Sequence, residues 1–282
     1  MNPFQKFVAE SARVFQSGKK LPTGLKSKAV RFAQRSSPKV LIFSPHPDDE
    51  CITGGLALRL LREAKWNVTN VAVTLGGKRE RRAARLRELK NACELLGFDL
   101  IVAGLEQINL ETRKKNPAQW QSAVGTIAKI LAAQNTRAIF LPHECDGHPA
   151  HVGVHFLVLD ALEKMPRDFS CFVVETEFWR QMANPNLLVE IGTNDLAVLI
   201  AALSFHVGEV KRNPYHARLP AWMTDNVRRG AEIVGGAGAT SPDFTFGAIY
   251  RLQKWSNGKF QKNFSSGKFL GAKKNPEDLF GA

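Results

Sequence analysis

From residue 39 onward, short apolar runs alternate with longer stretches in which apolar residues recur every three or four positions. The first pattern reads as buried strand and the second as amphipathic helix. Strands are predicted at 39–43, 68–75, 99–103, 137–141, 171–176 and 244–250. Helices are predicted at 53–65, 79–96, 117–133, 151–164, 194–207 and 220–233. Gly76 and Gly77 close the second strand, and Gly97 stops the helix before it. Strand and helix in alternation predict an α/β fold with a mostly parallel sheet covered on both faces. No internal repeat is present.

The two ends follow a different pattern. Residues 1–38 carry eight Lys or Arg against one acidic residue, and residues 251–282 carry seven against two. The net charge of +13 therefore belongs to the ends, and the span between them is nearly neutral. The organisation expected is a basic, partly helical N-terminal arm over 1–38, an α/β domain over 39–250 and a basic tail over 251–282. The last thirty residues, rich in Lys, Gly, Ser and Asn, read as loosely attached.

Phe4, Phe7, Val8 and Phe15 fall near helical spacing. They are read as a helix packed on the protein's own body rather than one lying in a membrane surface. Charge confined to the ends argues against a nucleic-acid groove across the domain, and no specific nucleic acid is expected. The basic ends either touch an anionic surface peripherally or are simply solvated, and solvation is the simpler reading.

Cys51, Cys93, Cys145 and Cys171 form no CxxC pair, and no apolar run has signal or membrane-spanning length. Reduced thiols in a cytoplasmic protein, at most peripheral to a membrane, are expected.

Chemistry concentrates in two places. Ser44-Pro45-His46-Pro47-Asp48-Asp49-Glu50 directly follows the first strand, and His143, His148, His151 and His155 follow the strand at 137–141. In a parallel sheet the carboxyl ends of strands share one edge, where ligands bind, so the two turns can meet. Imidazole and carboxylate without thiolate is the donor set of a catalytic zinc site with one open position.

His46 and Asp49, three apart at the turn into a helix, can face one ion, which leaves Asp48 to take a proton from a water. Glu50 reads as a supporting partner or a helix N-terminal charge. Spacing leaves open whether His148 pairs with His151 or His151 with His155. His151 is common to both arrangements.

Residues 78–90 hold seven basic side chains behind Gly76-Gly77. Their first turn overlooks the same edge, so Arg79 or Arg85 is a candidate grip on a polar or anionic substrate. The others read as a solvated face. Glu177, Trp179, Tyr215 to Arg218 and Arg228 to Gly230 either reach over the pocket or are ordinary surface and core positions.

Together, Pro-His-Pro-Asp-Asp-Glu at 45–50, Thr74-x-Gly76, Arg85-x-x-Glu88-x-x-x-Ala92-x-x-x-Leu96-Gly97 and His148-Pro-x-His151 resemble the PIG-L/LmbE family of zinc-dependent N-acetylglucosaminyl deacetylases. The resemblance covers roughly residues 38–210. It implies a Rossmann-like three-layer α/β sandwich and hydrolysis of an acetamide on an aminosugar. It also implies zinc, or another divalent metal, on His46, Asp49 and His151. Asp48 would be the general base, His148 an acid or oxyanion partner, and Arg85 a substrate contact.

One departure is Ala150, where the family often has an acidic residue. Whatever carboxylate orients His148 must then come from Asp146 or Glu144, or be absent. The expectation is a metal-dependent deacetylase of an N-acetylated aminosugar, free or in a glycoconjugate. An amidohydrolase for another N-acyl compound, or a sugar- or nucleotide-binding protein that lost turnover, is the alternative.

Overall fold

The computed structural model of the chain describes residues 2–24 and 36–281. Helix α1 (Pro3–Gly18) precedes strand β1 (Lys39–Ser44), the short helix α2 (Asp49–Ile52), α3 (Gly55–Arg62) and β2 (Asn67–Ala72). A 3-10 turn at Arg79–Arg81 leads into α4 (Arg82–Leu96), followed by β3 (Asp99–Val102), α5 (Leu110–Lys115), α6 (Pro117–Ala133) and β4 (Thr136–Pro142). Then come α7 (Pro149–Leu162), β5 (Ser170–Thr176), β6 (Leu187–Glu190), α8 (Thr193–Leu203), α9 (Val207–Arg212) and α10 (Tyr215–Gly235). Strands β7 (Gly247–Ser256), β8 (Lys259–Lys262) and β9 (Lys268–Leu270) and a 3-10 turn at Pro276–Phe280 complete the chain.

The sheet runs β3-β2-β1-β4-β5-β7-β6-β9, with β8 paired to β7. Its first five strands are parallel, whereas β7 runs antiparallel to β5, β6 and β8. Strand β1 is buried on both faces. Val40 and Ile42 enter one core with α3, α4 and α8, and Leu41 and Phe43 enter the other with α6 and α7. Alternation of side chains along the strand produces this division, and the result is the expected three-layer α/β sandwich.

The chain steps from β1 outward through β2 to β3 and then returns to place β4 on the other side of β1. The order of strands reverses there, and the carboxyl ends of β1 and β4 flank the resulting crevice, where open α/β sheets take ligands.

The ends differ from expectation. Rather than forming a loosely attached tail, residues beyond 250 complete β7 and supply β8 and β9. Phe280 is fully buried, its ring 5.0 Å from that of Trp66 and 5.3 Å from that of Phe172. The buried Arg59 guanidinium donates to the Lys274 carbonyl at 2.9 Å and the Glu190 carbonyl at 3.0 Å, which ties the tail to the sheet. Lys, Gly and Ser masked this segment in the sequence because its anchors are single apolar residues and backbone carbonyls.

The N-terminal helix also departs from its reading. Helix α1 buries none of its residues, and Phe4, Phe7, Val8 and Val14 are exposed. It meets the body near its end, where Gly18 approaches Ala217 and Phe15 lies under the Arg218 guanidinium. The rest of the basic arm, 25–35, lies outside the described residues. Among the described residues no helix is long and apolar enough to cross a membrane, and all four cysteines are free.

Removing the Phe280 ring should leave a cavity against Trp66 and Phe172. Phe280→Ala is expected to lower the unfolding free energy by about 3–5 kcal/mol, measured by denaturant titration. A change within experimental error would show that the tail is not part of the core.

Candidate metal and catalytic site

The first turn is held by backbone interactions that its sequence encodes. Thr74 Oγ1 donates to the Pro45 carbonyl at 2.8 Å and accepts the Gly76 N–H at 3.1 Å. Arg85 Nη2 donates to the Pro47 carbonyl at 3.0 Å. Gly76 has φ +87°, and a Cβ there would lie 2.2 Å from Arg85 Nη1, so both conformation and space call for glycine. Thr74, Gly76 and Arg85 thus brace the two prolines that bracket His46.

Asp48 has φ 120°, a region that costs a non-glycine residue on the order of 1–3 kcal/mol. Its N–H is accepted by Glu50 Oε2 at 3.0 Å, and Glu50 Oε1 in turn accepts from His206 Nε2 at 2.7 Å. Glu50 and His206 are both fully buried. Burial alone would raise the Glu50 carboxyl, but the charge and hydrogen bond of His206 hold it below the usual range. Cys51 lies beside them, its buried thiol donating to Glu50 at 3.2 Å and pushed well up by burial. This cluster reads as a closed scaffold for the strained turn, with Glu50 in the supporting role.

Across the crevice, His46, His148 and His151 come together. Their ring centroids lie 5.0 Å apart for His46 and His148, 5.4 Å for His46 and His151, and 5.2 Å for His148 and His151. Asp49 sits among them, 3.5 Å from His151 Nε2 through Oδ1 and 3.9 Å from His46 Nδ1 through Oδ2. Oδ2 already accepts the His46 N–H at 2.8 Å.

His151 Nδ1 donates to Asp146 Oδ2 at 2.6 Å, and Asp146 Oδ1 accepts the N–H groups of Phe178 and Trp179. Burial would raise the Asp146 carboxyl, yet the hydrogen bonds from His143, His151 and the backbone bring it to about 2. With its proton on Nδ1, neutral His151 presents an Nε2 lone pair to Asp49 Oδ1. Both atoms are buried without a hydrogen-bond partner. Two acceptors so placed call for a cation or a proton between them.

Electrostatics in the pocket follow from burial. Desolvation, then the charges of His151, Arg85 and His148, press the His46 imidazole well below its ordinary value. Desolvation and the neighbouring Asp49 push Asp48 well up, against the pull of Arg85. Asp49 is raised by burial to about 6 despite His151. His148 is lowered by burial and by His151, whereas Asp49 and Asp146 outweigh burial to raise His151.

The space in front of these groups is about 170 Å³. Its walls include His46, Asp48, Asp49, Arg85, His148 and Trp179. Of the six site residues that the resemblance implied, all but His151 line this cleft. Of the two arrangements the spacing allowed, the structure brings His148 and His151 to the site. His155 instead donates to the Pro142 carbonyl at 3.0 Å beside Glu175, and His143 faces the Arg180 carbonyl at 3.0 Å. Arg79 is exposed against Glu106 and does not enter.

Asp146, offered with Glu144 as a candidate to orient His148, serves His151 instead. His148 caps α7, its Nδ1 accepting the Ala150 N–H at 3.2 Å, and its ring stacks on Trp179 at 5.5 Å. Glu209, Arg212 and Phe178 also line the cleft and carried no motif that would have singled them out. Tyr215 and Trp179, two of the positions the sequence offered as reaching over the pocket or as ordinary, do line it. Glu177 is bound instead to Arg229 at 2.6 Å.

The family model described as GlcNAc-PI de-N-acetylase, PIG-L, matches residues 41–162, which contain both histidine turns. A Bacillus cereus protein named "Probable N-acetyl-alpha-D-glucosaminyl L-malate deacetylase 2" is 32% identical to this chain over 143 residues. That match covers 46% of the chain and spans 63% of the relative's length.

Among solved structures, an N,N'-diacetylchitobiose deacetylase from Pyrococcus horikoshii superposes with a TM-score of 0.58 at 17% identity, covering 89% of this chain and 93% of that one. A 4-carboxy-2-hydroxymuconate hydratase from Pseudomonas putida also scores 0.58, at 15% identity over 76% of this chain and 95% of that one. At such identities the likeness is one of fold. The hydratase shows that this architecture carries other chemistry as well.

Within this site the Glu50 scaffold is testable. Glu50→Ala strips acceptors from the buried His206 and from the Asp48 N–H, and should destabilise the protein by about 3–5 kcal/mol in chemical unfolding. An unchanged midpoint would refute the scaffold role.

Proposed function

We propose that this cleft hydrolyses the acetamide of an N-acetylated aminosugar, with a divalent metal held by His46, Asp49 and His151. The observation that carries the reading is the facing pair of Asp49 Oδ1 and His151 Nε2, buried acceptors 3.5 Å apart with no other partner. A metal cation satisfies both at once, and the Asp146 hydrogen bond to His151 Nδ1 is the usual support of a ligating imidazole. Nitrogen and oxygen donors without thiolate favour zinc.

His148 is a third nearby ring whose donor atom lies within 4.8 Å of those of His46 and His151. Its Nδ1 accepts the Ala150 N–H, however, which puts the proton of the neutral ring on Nε2. It is therefore read as a donor and not as a ligand. The substrate class is supported by the activities named for the family and for the Bacillus cereus and Pyrococcus horikoshii proteins.

When bound, the ion supplies Lewis acidity toward the amide carbonyl and toward a water. Asp48, buried in the cleft wall beside Asp49, takes the proton of that water as its oxygen bonds to the carbonyl carbon. His148 Nε2–H donates to the carbonyl oxygen as negative charge grows there. The C–N bond breaks as Asp48 passes the proton taken from the water to the sugar nitrogen, while His148 Nε2–H stays hydrogen-bonded to the oxygen, giving acetic acid, which ionises, and the free amine. Arg85, whose Nε is buried and without a partner, is the proposed donor to the sugar.

Two variants separate the assigned roles. Asp49→Ala should lose bound metal and turnover together. Asp48→Ala should keep its metal while acetate release from N-acetylglucosamine conjugates falls roughly 100- to 10,000-fold. Equal loss of metal from both, by elemental analysis of purified protein, would refute the division.

Asp146→Ala should weaken zinc binding about 10- to 100-fold in a competition titration with a chelating dye. Unaltered affinity would remove Asp146 from the supporting role.

A further inference from the structure

Beside the cleft lies a second cavity of about 210 Å³, lined by Ile52, Phe178, Tyr215, Arg218, Leu219 and Trp222. Its walls are almost wholly carbon. The one charged side chain, Arg218, belongs to an exposed residue and has its guanidinium 4.9 Å over the Phe15 ring. Phe178 and Tyr215 border both cavities, with ring centroids 5.7 Å apart. Phe178 also lies 5.7 Å from the His151 ring on one side and 6.1 Å from Trp222 on the other. A single aromatic partition therefore joins a polar chamber to an apolar one.

A space of this size is not a packing defect, because protein interiors leave few voids larger than a water. An acetyl group is far too small to fill it. Sugar hydroxyls find partners in the polar chamber, where Arg85, Glu209 and Arg212 stand. The apolar chamber has little to offer a polar aglycone, such as the malate named for the Bacillus cereus relative.

We propose that this second cavity is the subsite for a hydrophobic aglycone, an alkyl chain or aromatic ring carried by the aminosugar whose acetamide lies at His46, His148 and His151. The proposal rests on the deacetylase reading above and specifies its substrate. Apart from Ile52, the lining residues fall outside the stretch that matches the family, 41–162. The polar chamber thus draws on the family core, and the selective one is assembled from the loop after β5 and from α10. Desolvation of the aglycone against Trp222 and Leu219 would appear as tighter binding, hence in KM before kcat.

The test compares acetate release by the zinc-loaded full chain from methyl, octyl and malyl N-acetylglucosaminides, and octanoate release from methyl N-octanoylglucosaminide. The octyl glycoside should exceed the methyl glycoside in kcat/KM by on the order of tenfold or more, through KM. In Trp222→Ala and in the pocket-filling Leu219→Phe, the octyl-to-methyl ratio should fall toward one. Because the ratio is internal to each preparation, a partly unfolded variant does not distort it.

Equal kcat/KM for the methyl, octyl and malyl glycosides would overturn the subsite and leave the deacetylase reading intact. Faster cleavage of the octanoyl amide than of the acetyl amide would put an acyl chain in the cavity and overturn the aglycone assignment. No acetate from any glycoside, by protein that holds its metal, would overturn the deacetylase reading and this proposal with it.

Discussion

Asp49 Oδ1 and His151 Nε2 face each other 3.5 Å apart with no hydrogen-bond partner between them. Two buried acceptors so close are costly unless something positive intervenes, so the fold must supply the force that keeps them there. It does so from both sides. The His46 N–H fixes the other Asp49 oxygen, and Asp146 fixes the other His151 nitrogen. Asp146 is itself held by backbone N–H groups from the loop after β5. Three strand ends, those of β1, β4 and β5, are thus bound into one arrangement.

The same economy appears in the turn that carries Asp48. Its positive φ is unfavourable on its own, and it persists because neighbouring groups over-determine it. Glu50 accepts the Asp48 N–H, His206 saturates Glu50, and Thr74 and Arg85 hold the two proline carbonyls. Because these partners come from the segment after β2, from α4 and from the residue before α9, the turn is a property of the whole domain.

Polar and apolar chambers meet at Phe178 and Tyr215. One chamber is lined mainly by the turns after β1 and β2 and by α4, and the other mainly by α10. The apolar chamber is thus built mainly from a segment separate from the turns that carry the histidines.

Much of the fold was legible in the residues. The runs of β1, β2, β4 and β5 are apolar because both sheet faces are covered, and burial of that kind leaves a mark within a few residues. The two histidine turns were legible for a related reason, since their side chains are chemically distinctive and abut such runs. Strand β6, the shifted span of β7 and the C-terminal strands were not. Their residues are ordinary, and their conformation comes from pairing with partners distant in sequence.

The sequence by itself determined that two metal-competent clusters would sit at strand ends, because residue type and local periodicity are written along the chain. Only the tertiary structure decided that β4 lies against β1, that His148 and not His155 meets His46, that Asp146 serves His151, and that Glu209, Arg212 and Trp222 line the cavities. Local patterns record how deeply a residue is buried. Which surfaces it meets depends on strand order and helix packing, and these are settled by the chain as a whole.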